Sequence, residues 1–125
     1  MQNTSLRRLY LSRTAITGEG LKHLKRARQA LYLLDLSYTR VTNKDMQHLT
    51  PENMSDLSSL DLVGTAVTED GIRTLIDPSA DDIKLRRLYL SAQQISTELA
   101  SQLRRKGVQI TIIPTTPITH VPKHP

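Results

Sequence analysis

The segment LRRLYLSRTAI at residues 6–16 recurs three more times along the chain. The later copies are LYLLDLSYTRV at 31–41, LSSLDLVGTAV at 57–67 and LRRLYLSAQQI at 85–95. They begin at residues 6, 31, 57 and 85, which are 25, 26 and 28 residues apart, and positions 1, 4, 6 and 11 are apolar in every copy. Four copies in register predict a repeat architecture, in which each unit buries its apolar face against the next unit.

The residues after each copy predict a short helix. Position 12 carries a hydroxyl that can accept from the free N–H groups at the start of a helix; these residues are Thr17, Thr42, Thr68 and Ser96. Positions 16 and 19 are apolar and lie on one helix face; they hold Leu21 and Leu24, Met46 and Leu49, Ile72 and Leu75, and Ala100 and Leu103. Thr50-Pro51 and Asp77-Pro78 are expected to end two of the helices.

This pattern resembles the leucine-rich repeat family over about residues 6–112, and the period with a helical second half is similar to its ribonuclease-inhibitor-like and cysteine-containing branches. The resemblance implies an α/β fold, a short horseshoe-shaped solenoid with parallel strands on the concave face and helices on the convex face. The family usually has Asn or Cys at position 9, where this chain has Thr14, Thr39, Thr65 and Gln93. A Thr hydroxyl can still donate to the turn backbone, but Gln93 breaks the series.

The two ends of the chain differ. Lys106-Gly107 fits a helix C-terminus with Gly in the left-handed conformation, and 108–112 alternates like a strand that closes the sheet. Residues 1–113 are therefore predicted to form the repeat domain, and 114–125, with four of the six prolines, a flexible or polyproline-like tail. No polar cap precedes Leu6, so either this edge is tolerated or the chain continues a longer solenoid.

The amino-acid composition indicates the cellular compartment. The 125 residues include no Cys, no Phe and no Trp, and the net charge is +5. The absence of Cys excludes disulfides and thiolate metal sites and favours a reducing compartment. The sequence shows neither a signal peptide nor a run of roughly 18 apolar residues. We therefore expect an intracellular protein, in cytoplasm or nucleus, with no membrane association.

Strand alternation predicts a binding surface on the concave face. With positions 4 and 6 in the core, positions 3, 5 and 7 are expected on the opposite face and position 2 at its rim. Repeats one and four each present an Arg pair and a Tyr, with two Asp between them, and Tyr and Arg are enriched at interface hot spots. The predicted partner-binding residues are Arg8, Tyr10, Tyr32, Asp35, Tyr38, Asp61, Arg87 and Tyr89.

Other interpretations of these residues are structural. Arg8 with Asp35, and Asp61 with Arg87, would form cross-strand surface pairs worth about 0–1 kcal/mol each. His23 and His48 share one repeat position but lack co-ligands at ligand spacing, so neither a metal site nor any other cofactor is predicted.

The sequence thus predicts a non-catalytic protein–protein interaction module, because no local motif places a base beside a nucleophile. It is either complete or the C-terminal piece of a larger scaffold, regulator or adaptor. The alternative is a nucleic-acid-associated protein that binds through basic helices, although no aromatic residues interleave with the charges. These basic residues are Lys22, Lys25, Arg26, Arg28, Arg104, Arg105 and Lys106.

Overall fold

Four strand-and-helix units followed by a fifth strand make up the described part of the chain. The computed structural model describes residues 7–23, 31–50, 54, 56–76 and 84–114. The strands are β1 (Arg8–Tyr10), β2 (Leu33–Asp35), β3 (Ser59–Asp61), β4 (Arg87–Leu90) and β5 (Gln109–Ile112). The expected closing strand is therefore present, and Val108, the first residue of its predicted range, is buried directly before it.

All five strands lie in one sheet, parallel and in chain order. The strands pair position by position, so that the position-4 residues form one row. That row consists of Leu9, Leu34, Leu60, Leu88 and Ile110. A slip of one residue would move these apolar side chains to the other face, which fixes the register. The predicted repeat register is confirmed, and the sheet with its helices is consistent with an α/β leucine-rich-repeat fold; the horseshoe curvature stays a prediction.

One apolar cluster lies between the strands and the helices. The predicted positions 4, 6, 16 and 19 supply most of it, while Leu24 lies outside the described residues. Its fully buried members include Leu21, Leu34, Leu36, Met46, Leu49, Leu60, Leu62, Ile72, Leu88, Leu90, Leu99 and Leu103. In the first repeat, Leu9 and Leu11 are only partly buried against this cluster. The core is therefore most complete in the central layers.

The helical segments are shorter and more varied than predicted. The α-helices are α1 (Gly18–His23), α2 (Glu69–Ile72) and α3 (Thr97–Arg105), and 3₁₀ helices cover Lys44–Leu49, Arg73–Leu75 and Ala92–Gln94. The helical segment of the second repeat is 3₁₀ from Lys44 to Leu49. Helix α3 is followed by Gly107 at a φ of +96°, the predicted left-handed glycine.

One predicted hydroxyl cap is present, and another is replaced by a side chain of the neighbouring repeat. The Ser96 hydroxyl accepts from the Leu99 N–H at 3.2 Å, as predicted, but Thr68 makes no side-chain cap and the Thr42 hydroxyl donates to Asp45 instead. The Asn43 amide oxygen, from the preceding repeat, accepts from the N–H groups of Thr68 at 2.8 Å and Gly71 at 3.1 Å. A side chain in the neighbouring layer therefore satisfies the free donors of helix α2.

The residue that replaces Thr in the fourth turn is Gln94, one position after the predicted Gln93. In the first three repeats Thr14, Thr39 and Thr65 each donate to the position-6 carbonyl of the same turn, at 2.7, 2.6 and 2.8 Å. Gln93 is exposed, whereas Gln94 is 3% exposed. Its amide nitrogen donates to the carbonyls of Leu62 at 3.0 Å and Val67 at 2.9 Å and to the Thr65 hydroxyl at 3.2 Å.

Gln93 thus breaks the series of position-9 residues, and the adjacent Gln94 takes the buried place in the fourth turn. The 3₁₀ turn at Ala92–Gln94 rotates the longer amide of Gln94 towards the third repeat. Its oxygen also accepts from the Ser91 N–H at 2.7 Å. One side chain thus joins two consecutive turns.

Truncation of a central leucine tests the register. Leu60→Ala or Leu62→Ala should each lower the free energy of unfolding by about 2–5 kcal/mol, because both side chains are fully buried and leave a cavity. Leu33→Ala is the matched control. Leu33 faces away from the core, so this substitution should lower the free energy of unfolding clearly less. Urea unfolding followed by circular dichroism measures the difference, and equal midpoints for all three variants would contradict the register.

The neighbouring glutamines offer a second test. Gln94→Ala should lower the free energy of unfolding by about 2 kcal/mol or more, because the buried Ser91 N–H and Val67 carbonyl lose the side chain that binds them. Gln93→Ala should change the free energy of unfolding by no more than about 0.5 kcal/mol, as most surface substitutions do. Thermal melts of the two single variants decide it; a larger loss for Gln93→Ala would reverse the assignment of the two side chains.

Candidate binding groove on the sheet

The face of the sheet opposite to the core carries two parallel rows of side chains. We call this the outer face and define it by positions 3 and 5 of the strands. The position-3 row consists of Arg8, Leu33, Ser59, Arg87 and Gln109, and the position-5 row of Tyr10, Asp35, Asp61, Tyr89 and Thr111. Because each strand exposes only two such side chains, any surface of useful size on this face must combine several repeats.

A groove of about 610 Å³ runs across these rows. We call it the sheet groove. It brings together seven of the eight sequence-predicted residues; its lining consists of Arg8, Tyr10, Tyr32, Leu33, Leu34, Asp35, Ser58, Ser59, Asp61, Arg86, Arg87 and Tyr89. Four of the five additional lining residues lie at positions 2 and 3, where strand alternation and the rim position already predict them, and the fifth is Leu34 at position 4.

Two neighbouring carboxylates lie in the middle of the sheet groove. The Asp35 carboxylate accepts from the N–H and hydroxyl of Ser37, at 2.9 and 2.7 Å, and the Asp61 carboxylate accepts from the Val63 N–H at 3.0 Å. Each aspartate therefore closes the turn after its own strand. Burial raises the pKa of Asp61 above its ordinary value, the Val63 N–H opposes this, and the charge of Asp35 adds to the rise.

The expected ion pairs across the strands are absent from the described residues. Neither Asp35 nor Asp61 pairs there with an Arg or Lys, and the described ion pairs join Lys22 to Glu19 and Arg73 to Glu69. Arg8 is level with Leu33, two residues before Asp35 along the strand, and its guanidinium binds Tyr32 instead of Asp35. The interpretation of Arg8–Asp35 and Asp61–Arg87 as surface pairs is wrong.

Arg8 instead binds the aromatic residue at the rim. Its Nε donates to the Tyr32 hydroxyl at 2.7 Å, and this hydrogen bond raises the pKa of Arg8 further above its usual range. The guanidinium carbons of Arg7 and Arg8 lie 5.4 and 5.5 Å from the centroid of the Tyr32 ring, within cation–π range. Tyr32 therefore holds two cations at one end of the groove.

Tyr38 was predicted on the concave face, and the structure places it elsewhere. It lies in the turn after β2 with a φ of +56°. Position 8 is also left-handed at Arg13 (φ +63°) and Gly64 (φ +74°). The Arg13 guanidinium carbon lies 4.3 Å from the Tyr38 ring centroid, and a Cβ on Gly64 would lie 2.4 Å from that ring. The three residues form a ladder along the turns, for which Gly64 was the only signal in the sequence.

Position 7 also departs from the alternation argument. Ser37, Val63 and Ser91 are buried, at 6%, 3% and 0% exposure, although position 7 was expected on the concave face. The strands end at position 5 or 6, so the following residue already belongs to the turn. The Ser91 hydroxyl, for example, accepts from the Gly64 N–H at 3.1 Å. Position 7 therefore contributes to the turns and not to the groove.

The basic helices are only partly described. Lys22 lies 3.9 Å from Glu19 in an exposed pair on α1, while Lys25, Arg26 and Arg28 lie outside the described residues. Arg104 and Arg105 are exposed in the last turn of α3, where cations interact favourably with the helix dipole. For these two arginines, the helix terminus supplies a structural reason for the charge.

Two further sequence features concern metals and membranes. His23 and His48 lie in α1 and in the 3₁₀ helix of the second repeat. Within the described ranges, no group of three or more His, Cys, Asp or Glu side chains is placed to hold a metal ion. No helix in that part of the chain has the length and apolar character needed to cross a bilayer.

The aspartate pair makes stability depend on pH. The raised pKa of Asp61 means that the folded state favours its protonated form, so stability falls as the pH rises through that pKa. Asp61→Asn removes the charge and keeps an oxygen for the Val63 N–H, so it should stabilise the chain by about 0.5 kcal/mol at pH 7. This gain in the free energy of unfolding should vanish near pH 3, where the Asp61 carboxyl of the parent chain is protonated. Asp56→Asn at an exposed position is the control. If Asp61→Asn is less stable than the parent chain at pH 7, the charged Asp61 carboxylate does not destabilise the fold.

Comparison with known proteins gives a match in the first repeat. Residues 2–25 match the family model described as Leucine Rich repeat. No curated protein matches the chain. The match covers repeat one, and the other three copies share the strand register of that repeat. Leucine-rich repeats generally mediate protein–protein interaction, and the chain contains one at residues 2–25.

Proposed function

We propose that this protein is a non-catalytic protein–protein interaction module that binds its partner in the sheet groove. The observation that carries the proposal is the composition of the groove, in which charged and tyrosine side chains meet in a cavity of about 610 Å³. Tyr and Arg dominate interface hot spots, and Tyr supplies contact area at low entropic cost. A partner with both acidic and basic groups fits this surface best.

The exposure of the tyrosines supports this role. Tyr10 is 63% exposed and Tyr89 is partly exposed at the other end of the same row. Neither contributes to the apolar cluster of the fold. Large exposed aromatics on the outer face are more useful to a partner than to the stability of the sheet.

The chemistry of the lining favours binding over catalysis. The described residues that line the sheet groove include no His, Cys or Lys. The hydroxyls of Ser58 and Ser59 therefore have no imidazole or amine beside them there to act as the base of a Ser-His or Ser-Lys type of nucleophile. We accordingly propose no cofactor and no metal for this site.

We also propose the repeat type, the domain bounds and the cellular role of the protein. The repeats would be of the ribonuclease-inhibitor-like type, with the sheet curved into a short horseshoe so that the sheet groove forms its concave face. Residues 1–113 would form this domain and 114–125 its Pro-rich tail. The protein would act inside the cell as a scaffold, a regulator or the recognition part of an adaptor.

The test compares two sets of variants. The parent chain is immobilised, its partner is captured from lysate and identified, and binding is then measured with the purified partner. Tyr10→Ala with Tyr89→Ala should weaken binding by about 2 kcal/mol, roughly 30-fold in Kd, because the aromatic contacts are lost. Thermal melts should be nearly unchanged, since both side chains lie on the outer face.

The matched control reverses charge on the first helix. Lys22→Glu with Lys25→Glu and Arg26→Glu should leave binding nearly unchanged. If this variant loses the partner and the tyrosine variant keeps it, the proposed site is wrong. A steep salt dependence, with nucleic acid as the captured partner, would support the basic helices instead.

A further inference from the structure

The sheet groove has charges at its two ends and at its centre, and each sign occupies its own row. Arg8 on β1 and Arg87 on β4 end the stretch of the position-3 row that the groove covers. Asp35 on β2 and Asp61 on β3 lie between them in the position-5 row. No ion pair neutralises any of the four among the residues described. The order across the strands is therefore basic, acidic, acidic, basic.

The spacing of these charges follows from the sheet. Adjacent strands lie about 4.8 Å apart, so three steps place the Arg8 and Arg87 backbones about 14 Å from each other. The aspartate pair is centred halfway, about 7 Å from either end across the strands, and two residues further along them. That offset of about 7 Å is within the reach of a long basic side chain lying over the neutral Leu33 and Ser59.

An extended peptide has a matching period. It advances about 3.4 Å per residue and its side chains alternate between two faces. Residues i, i+2 and i+4 therefore share one face, and residues i and i+4 lie about 14 Å apart. A peptide that runs across the strands would place its first and last such side chains at Arg8 and Arg87 and the middle one above the aspartates.

We propose that the sheet groove binds an extended segment of a protein partner with the order acidic-x-basic-x-acidic, running across the strands. This inference rests on the proposed function and names the chemistry of its ligand. Arg8 and Arg87 bind the two carboxylates, and Asp35 with Asp61 bind the basic side chain between them. Tyr10 and Tyr89 flank that side chain at the ends of the position-5 row. The charge order is the same from both ends, so it does not select the direction of the segment.

Two labelled peptides of equal composition test the spacing. The first contains Glu-Ser-Lys-Ser-Glu and the second Ser-Glu-Lys-Glu-Ser, both between Gly-Ser flanks and with fluorescein at one end. Their net charges are equal, but the second peptide puts Lys on the face opposite to both Glu side chains. Fluorescence anisotropy with the full chain, up to millimolar concentration, should show at least about tenfold tighter binding of the first. Equal binding of the two would overturn the proposal.

A charge reversal provides the decisive variant. Arg87→Glu should move the preference from Glu-Ser-Lys-Ser-Glu to Glu-Ser-Lys-Ser-Lys, because one end of the groove changes sign. Arg87 is exposed, so the variant should fold, and its thermal melt checks this. Asp35→Asn with Asp61→Asn keeps oxygens for Ser37 and Val63 and should abolish the advantage of Lys over norleucine at the central position. Unchanged preferences in both variants would overturn the proposal.

The outcomes separate this inference from the proposed function. If the peptides bind without preference while Tyr10→Ala with Tyr89→Ala still loses the protein partner, only the inference fails. If the charge-reversed first helix loses the partner and the tyrosine variant keeps it, the proposed function fails as well. Displacement of the first peptide by labelled oligouridylate, with a steep salt slope, would assign the groove to nucleic acid and overturn the inference.

Discussion

The stacking of one repeat on the next is the constraint on which the rest of the structure depends. A strand of three residues with a helical segment of seven or fewer in the central repeats has too little apolar surface to fold alone. Its leucines become fully buried only when the layers on both sides are present, as for Leu34 and Leu60. The parallel pairing that aligns these leucines also aligns every other position, so the turns, caps and outer-face rows form continuous ladders across the sheet.

Many polar groups in the turns are satisfied by a neighbouring repeat. Asn43 caps helix α2 of the third repeat, and Gln94 binds carbonyls of the third turn from the fourth. The Ser96 N–H at the start of α3 donates to Glu69, and this contact with Ser96 lowers the pKa of the Glu69 carboxyl. Such bonds tie each layer to the next, so the polar ladder reinforces the register that the leucines establish.

The charged residues of the outer face are not explained by the apolar core. Asp35 and Asp61 close the turns after their own strands, which explains their presence in structural terms. Burial of the Asp61 carboxylate, with the charge of Asp35 beside it, raises the pKa of Asp61, so the charged form of Asp61 opposes folding. The arginines that would relieve this repulsion lie two residues away along the strands, and one of them binds Tyr32 instead. The charges therefore remain available to a partner with the opposite pattern.

The amino-acid sequence by itself determined the repeat register, the order of the five strands and seven of the twelve residues that line the sheet groove, because period-2 alternation and a shared register follow directly from the pattern of leucines. Only the tertiary structure decided that Tyr38 lies in a left-handed turn, that Gln94 and not Gln93 is buried, and that Arg8 binds Tyr32. These features depend on turn backbone angles and on contacts between residues more than twenty positions apart, such as Arg8 with Tyr32 and Gln94 with Leu62. Local spacing does not encode either of them, since a shift of one residue in a turn redirects a side chain to another layer.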